Sequence, residues 1–196
     1  MWSKSIQVHP WIGTHYTHPQ HFLHKTLILG ESNFTKPERF NWELVQACVK
    51  NDISKDPLEE RDTTGFCRFS TKIRRMIFGR NTTLGPEDFW QDVTFYNFVQ
   101  VLVGERSRIR PTQEMWSVSV PAFIEIVSTL KPERVLVLGK ANWGNLLTHI
   151  ENKEIDEHRA TLFIGDERVK AGYINHPSSN VSYCKWRPIA NALLLN

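Results

Sequence analysis

Cysteine is scarce in this chain, with three residues among 196. Cys48, Cys67 and Cys184 are widely separated, and no C-x-x-C spacing occurs. Zinc sites and iron–sulfur clusters are typically held by closely spaced cysteines, so the sequence predicts neither of these metal centres. Reduced thiols are the simplest interpretation.

Long apolar runs are also missing. No stretch approaches the roughly 18 apolar residues that a membrane span needs. The opening residues, MWSK, do not resemble the apolar core of a secretion signal. We therefore expect a cytoplasmic protein without a membrane-inserted segment.

The excess of charge is small, +3 from 24 basic and 21 acidic residues, so only its distribution is informative. Residues 68–80 contain no acid, and positions 69, 73, 76 and 77 form one apolar face of a predicted helix. The opposite face would offer cations to phosphates, or would simply be solvated. Its cations are Arg68, Lys72, Arg74, Arg75 and Arg80, and a second basic group in a predicted loop comprises Arg106, Arg108 and Arg110.

Residues 1–25 are rich in histidine, proline and tryptophan but show no periodicity, which predicts an irregular N-terminal arm. His18, His21 and His24 are spaced by three, but Pro19 interrupts any helix that would align them. No acidic or cysteine side chain lies near them in the sequence, so we expect no metal site here.

Residues 26–196 alternate between strand-like and helix-like patterns, without a repeat or a linker. This alternation predicts a single α/β domain with three α/β/α layers around a central, mostly parallel sheet. Strands are predicted at residues 27–29, 93–103, 134–138, 161–164 and 169–175. Helices are predicted at residues 43–50, 68–79, 86–90 and 143–150, and from about Pro188 onward. Residues 111–114 lead into a further, long helix that reaches Leu130.

Two motifs end predicted strands in small and polar residues: TLILGESNF at residues 26–34 and YINHPSS at residues 173–179. Ligands bind at such strand ends in open α/β sheets. Gly30 would allow a ligand close to the backbone, and Glu31 would activate water or oppose a developing cation. The alternatives are a solvated glutamate and an ordinary core histidine at His176.

Other polar residues extend this candidate site. Asn97 lies in an aromatic strand, where its amide would either bond to the backbone or match the edge of a pyrimidine. Pro177 favours an extended backbone at His176. Short polar side chains suited to phosphate contacts follow, namely Ser178, Ser179 and Asn180.

Ser32 has a competing interpretation as a nucleophile. Gly-Glu-Ser resembles the Gly-Asp-Ser block of SGNH esterases, with His176 as the base. Those enzymes usually have an aspartate three residues before the histidine, where this chain has Tyr173. An esterase is therefore the weaker hypothesis.

The ordered set of motifs resembles the uracil-DNA glycosylase superfamily. The matching blocks are GESNF at residues 30–34, FYNFV at 95–99, RIRPTQE at 108–114, KPERVLVLG at 131–139 and HPS at 176–178. Their order and spacing agree across roughly residues 26–190.

The resemblance implies a DNA glycosylase that flips a nucleotide and hydrolyses its N-glycosidic bond without a cofactor. His176 would stabilise the departing base and Asn97 would hold its edge, with Gly30, Ser32 and Phe34 lining the base pocket. Ser178 and Ser179 would contact the DNA backbone, and Asn180 or Val181 would fill the vacated stack. We further expect basic contacts to DNA from Arg74, Arg75, Arg108 and Arg110, and a monomeric protein.

The first motif departs from the family pattern. The best-known branch has an aspartate where this chain has Ser32, and Asn33 replaces the usual proline. Glu31 matches the glutamate of the iron–sulfur branch, whose cluster cysteines are missing here. The water-activating residue is therefore Glu31 or, second, Asn33. The substrate would be a uracil-like base in repair, or a bulky modified pyrimidine of phage DNA in defence. A non-catalytic base-flipping module is the alternative.

Overall fold

The computed structural model describes residues 1–54, 65–106, 109–150, 153–156, 158–179 and 182–196. Within these residues, seven strands form one mixed sheet, and six α-helices pack around it. This arrangement confirms the predicted α/β class. In the same ranges, no helix is long and apolar enough to cross a bilayer.

The elements follow the predicted alternation closely. The strands are β1 (Trp11–Ile12), β2 (Thr26–Gly30), β3 (Val93–Asn97), β4 (Arg134–Leu138), β5 (Lys153–Asp156), β6 (Arg159–Ile164) and β7 (Glu167–Ile174). The helices are α1 (Leu44–Ile53), α2 (Gly65–Phe78), α3 (Pro86–Asp92), α4 (Gln113–Leu130), α5 (Lys140–His149) and α6 (Tyr183–Leu194). The short strands β1 and β5 were not predicted, because neither has a distinctive apolar pattern. The strand predicted at residues 93–103 was too long, since β3 ends at Asn97.

The strand order in the sheet is β1-β3-β2-β4-β7-β6-β5. The four inner strands β3, β2, β4 and β7 pair in parallel. Strand β1 on one side, and β6 and β5 on the other, pair antiparallel. The parallel strands bring their carboxyl ends, at Gly30, Asn97, Leu138 and Ile174, to one edge of the sheet.

Two hydrophobic cores fill the two faces of the sheet. Successive side chains of a strand point to opposite faces, and in β2 Leu27 and Leu29 join one core while Ile28 joins the other. The first core includes buried residues of α4 and α5, and the second includes those of α1, α2, α3 and α6. Every residue of β2 is buried, as its continuous apolar run predicts.

The N-terminal arm packs against the sheet. Strand β1 pairs with β3, and the arm buries the side chains of Ile6, Val8, Tyr16 and Phe22. The buried carboxylate of Asp92 accepts hydrogen bonds from the backbone N–H groups of Gln20 at 2.9 Å and His21 at 2.5 Å. The arm is irregular in backbone but contributes to both cores.

Helix α6 begins at Tyr183, five residues before the predicted start at Pro188. Proline is favoured in the first turn of a helix, but Pro188 is the sixth residue of α6. In the structure Trp186 is buried, and its ring lies 5.5 Å from that of Tyr173 on β7. Tertiary packing therefore stabilises the turn before the proline.

Candidate functional site

The two strand-end motifs lie at the same edge of the sheet. Gly30 ends β2, and His176 follows β7 by two residues, with β4 between these strands. Adjacent strands are about 4.8 Å apart, so the ends of β2 and β7 are separated by roughly 10 Å. A hydrogen bond of 2.8 Å from Gly139 N to Ile174 O ties β4 to β7 just below His176.

Glu31 is paired with Arg110, which lies in the loop before α4. Nη1 of Arg110 donates to both carboxylate oxygens at 3.0 Å. The carboxylate side chain is 13% exposed and the arginine side chain 71% exposed. The exposed guanidinium therefore covers an almost buried carboxylate.

Asn33 and Asn97 form a pair of amides beside Glu31. Nδ2 of Asn97 donates to Oδ1 of Asn33 at 2.8 Å, and Asn33 is 7% exposed. Among the described residues, Nδ2 of Asn33 has no hydrogen-bond partner. Leaving such a donor buried costs about 1–3 kcal/mol, which a bound acceptor would recover.

Gly30 is required for this amide pair. Gly30 and Asn97 are opposite each other in the β2–β3 register, and a Cβ at position 30 would overlap Oδ1 of Asn97. The backbone of Asn97 is held by Gln100, whose Nε2 donates to the Asn97 carbonyl at 2.8 Å. Only glycine therefore lets the Asn97 amide lie over the end of β2.

His176 has a defined tautomer. The backbone N–H of Ser178 donates to Nδ1 at 3.2 Å, and the Ser178 hydroxyl lies 2.7 Å from the same nitrogen. Because Nδ1 accepts, the proton of the neutral ring is on Nε2. The carbonyl of His176 accepts from the N–H and the hydroxyl of Ser179, at 2.9 and 2.6 Å. The HPSS turn thus uses both serines to orient the imidazole.

The surroundings of His176 keep its ring neutral. Burial, together with the positive charges of Arg110 and Lys72, lowers the pKa of His176 to about 4, and burial is the largest of these causes. Arg110 acts electrostatically on the imidazole while it is bonded to Glu31, which links the two motifs. At neutral pH the ring is therefore a hydrogen-bond donor through Nε2 and not a cation.

Two residues beside His176 had not been assigned to the site from the sequence. The ring of Phe69 on α2 lies 5.6 Å from the imidazole, and Gly139 has φ +104° and would bring a Cβ within 3.3 Å of the His176 Cβ. Gly139 could have been found from the sequence, because it directly follows the apolar residues of β4. Phe69 carried no local signal, because only the packing of α2 brings it to the edge.

The remaining predicted residues are distributed around this edge. Ser32 is partly buried, Phe34 is 56% exposed, and Arg75 on α2 is exposed. Arg74 instead bonds within its own neighbourhood, donating to the Leu84 carbonyl at 2.7 Å and the Thr71 hydroxyl at 3.3 Å. Arg108, Asn180 and Val181 lie outside the described residues.

The structure brings an acid to the histidines of the arm. Nδ1 of His21 lies 3.0 Å and Nδ1 of His15 lies 3.5 Å from oxygens of Asp92, far from them in sequence. Within the part of the chain that the structure describes, no group of three or more His, Cys, Asp or Glu side chains is placed to hold a metal ion. These contacts anchor the arm to the start of β3.

The chain was compared with profiles of known protein families and with curated protein sequences, and neither comparison gives a match. The function is therefore inferred from the arrangement of the site residues.

Proposed function

We propose that this chain is a DNA glycosylase of the uracil-DNA glycosylase type, with three α/β/α layers around the parallel strands. It would flip one nucleotide out of the helix and hydrolyse its N-glycosidic bond. One observation carries the proposal: a neutral His176 with its proton on Nε2 shares a sheet edge with the Glu31 carboxylate and the Asn33–Asn97 amide pair.

The imidazole suits the leaving group. When the bond between the sugar and the base breaks, the electron pair goes to the base, which departs as an anion. Nε2–H of His176 would donate to that anion, and a donor held in place before reaction stabilises the developing charge without reorganisation. A neutral donor serves this purpose over a wide pH range.

The carboxylate suits the other half of the reaction. The sugar develops positive charge as the base leaves, and Glu31 would oppose that charge or take a proton from the attacking water. Asn33 is the second candidate for contacting this water. Asn33 and Asn97 together would hold the base edge, with Ser32, Phe34 and the Gly30 backbone around it.

The substrate would be a deaminated, uracil-like base or a bulky modified pyrimidine of phage DNA, corresponding to a role in repair or in defence. The altered first motif and the histidine-rich arm motivate the second option. Both options require a basic surface, and Arg75 and Arg110 are exposed on the described part of the chain.

A non-catalytic base-flipping module on the same fold is the second candidate function. The observation that favours it is the ion pair of Glu31 with Arg110, which occupies both carboxylate oxygens. An esterase using Ser32 finds no support, since Ser178 occupies Nδ1 of His176 and a pKa of about 4 makes that imidazole a weak base.

The test is an excision assay on single-stranded and duplex oligonucleotides that contain deaminated bases, together with phage DNA that carries modified cytosines. Alkali then cleaves at abasic sites. Strand breaks that disappear in Glu31→Gln and His176→Ala support catalysis. Binding without breaks on every substrate supports the binding module.

Matched controls are Glu87→Gln and His18→Ala, which remove exposed side chains from α3 and from the arm. Both lie near the amino end of β3, the opposite edge of the sheet from His176. Excision by these controls at the wild-type rate shows that losses in the site variants are local. Breaks that persist in both site variants refute the proposed mechanism.

A further inference from the structure

Acidic residues are absent from two long segments of the chain. No Asp or Glu occurs in residues 65–86 or after Glu167, although the whole chain has 21 acids among 196 residues. The first segment contains α2 and the second contains α6. The segments are far apart in sequence, so nothing in the sequence alone indicates that they form one surface.

The structure packs these two segments against each other. Nδ2 of Asn191 on α6 donates to the carbonyl of Ile77 on α2 at 3.0 Å. The guanidinium of Arg187 lies over Gly79, and the guanidinium of Arg80 lies 4.9 Å from the ring centroid of Tyr183. Residues after α2 and at the start of α6 therefore present their cations side by side.

The cations of this surface are available to a ligand. Arg75, Arg80, Lys185 and Arg187 are all exposed, and none of them forms an ion pair with a carboxylate of the described residues. Stacking on Tyr183 and Trp186 holds the side chains of Arg80 and Lys185 against the protein. Cations that are held in place and form no ion pair among the described residues are suited to a polyanion.

The surface is continuous with the candidate site. Arg68, Lys72 and Arg75 are spaced by four and three residues and so share one face of α2. Phe69 of the same helix contacts the ring of His176. A helix advances about 1.5 Å per residue, so α2 extends for about 9 Å from Lys72 to its end at Phe78, and Arg80 follows two residues later. A length of about 9 Å corresponds to roughly three base-pair steps of a duplex, at about 3.4 Å per step.

We propose that the α2–α6 surface, formed by Arg75, Arg80, Lys185 and Arg187, binds the phosphates of duplex DNA flanking the nucleotide in the site. This inference rests on the proposed function for the location of the flipped nucleotide, but the binding itself does not require catalysis. The proposal assigns to α6 a role in DNA binding. The duplex would lie along α2 and extend away from the sheet edge at His176.

The experiment measures binding of unmodified duplexes to the full chain by fluorescence anisotropy at several salt concentrations. The variant is Arg80→Gln with Arg187→Gln. Loss of two phosphate contacts is expected to weaken binding about tenfold or more and to reduce the slope of log K against log salt by about 2. With a duplex of about 20 base pairs, the variant should show the full loss of affinity. With a duplex too short to extend beyond the candidate site, the variant should bind almost as tightly as the wild type.

The matched control is Arg168→Gln with Lys170→Gln, which removes the same charge from exposed positions early in β7, far from its carboxyl end. It should bind as the wild type does. If the first variant unfolds, Arg75→Gln with Lys185→Gln tests the same surface without the contacts at Gly79 and Tyr183.

Three results would overturn the inference. Duplex binding with an unchanged salt slope in both α2–α6 variants refutes this surface alone and leaves the proposed function standing. Absence of DNA binding by the wild-type chain at any salt concentration refutes both. Binding of the α2–α6 cations to vesicles of anionic phospholipid, without binding to DNA, identifies a lipid surface instead.

Discussion

Nη1 of Arg110 contacts both carboxylate oxygens of Glu31 at 3.0 Å, and the same arginine lowers the pKa of His176. One exposed side chain thus touches the acidic motif and acts on the imidazole motif. In the proposed reaction a DNA phosphate would compete with Glu31 for this guanidinium. Substrate binding would then release the carboxylate at the moment it is needed.

Replacement of Arg110 by alanine should raise the pKa of His176 from about 4 toward its ordinary value of 6.5, because one of two nearby cations is removed. The imidazole proton chemical shifts, followed by NMR as a function of pH, measure this directly. Arg168→Ala, which changes a distant exposed cation, should leave the titration unaltered. An unchanged pKa in Arg110→Ala would show that Arg110 does not contribute to the lowered pKa of His176.

His176 should make the protein less stable in mild acid. The unfolded chain binds a proton at this residue near pH 6.5, whereas the folded chain binds it only near pH 4. The free energy of unfolding therefore falls as the pH drops from about 6.5 to about 4, by up to about 3 kcal/mol, and then stays constant for this group.

Urea denaturation across this pH range checks the prediction. His176→Gln lacks the titrating group, so its stability should depend less on pH than that of the wild type over this interval. Parallel pH dependences for the two proteins would contradict the lowered pKa.

Gly30→Ala should abolish function while the fold remains. A methyl group at position 30 would overlap Oδ1 of Asn97, whose side chain must then move and break its bond to Asn33. The expected loss of excision is at least about 100-fold, since small displacements of positioning groups have effects of that size.

Gly144→Ala is the matched control, because a Cβ at this position in α5 meets nothing within 4 Å. Alanine in a helix interior is more favourable than glycine by up to about 1 kcal/mol, so this variant should be slightly more stable and fully active. A Gly30→Ala protein with normal activity would show that the amide pair is dispensable.

Asp92→Ala should loosen the N-terminal arm. The carboxylate accepts from the backbone of Gln20 and His21 and lies near the rings of His15 and His21. Its removal leaves these donors unsatisfied, with an expected loss of about 2–4 kcal/mol in the free energy of unfolding. Amide hydrogen exchange should become faster first in the arm and in β1. Exchange at the wild-type rate in both segments would refute this anchoring.

The class of the fold and most of its elements could be predicted from local patterns. Strand β4 has the predicted bounds, α4 ends at the predicted Leu130, and β2 and β7 differ from the predictions by two residues or fewer. The start of α6 and the existence of β1 could not be predicted, because both depend on partners distant in sequence. The first turn of α6 is stabilised by the packing of Trp186 against Tyr173, and β1 forms by pairing with β3.

The sequence by itself determined the chemical groups of the candidate site, since glycine, carboxylate, amide and imidazole at the ends of apolar runs are visible without coordinates. It also determined the local turn in which Pro177 and two serines follow His176. Only the tertiary structure decided that Arg110 holds Glu31, that Asn33 bonds to Asn97, and that α2 and α6 join their cations. These contacts connect residues 64 to 114 positions apart. Parallel pairing and helix packing set such contacts, and the local sequence does not encode them.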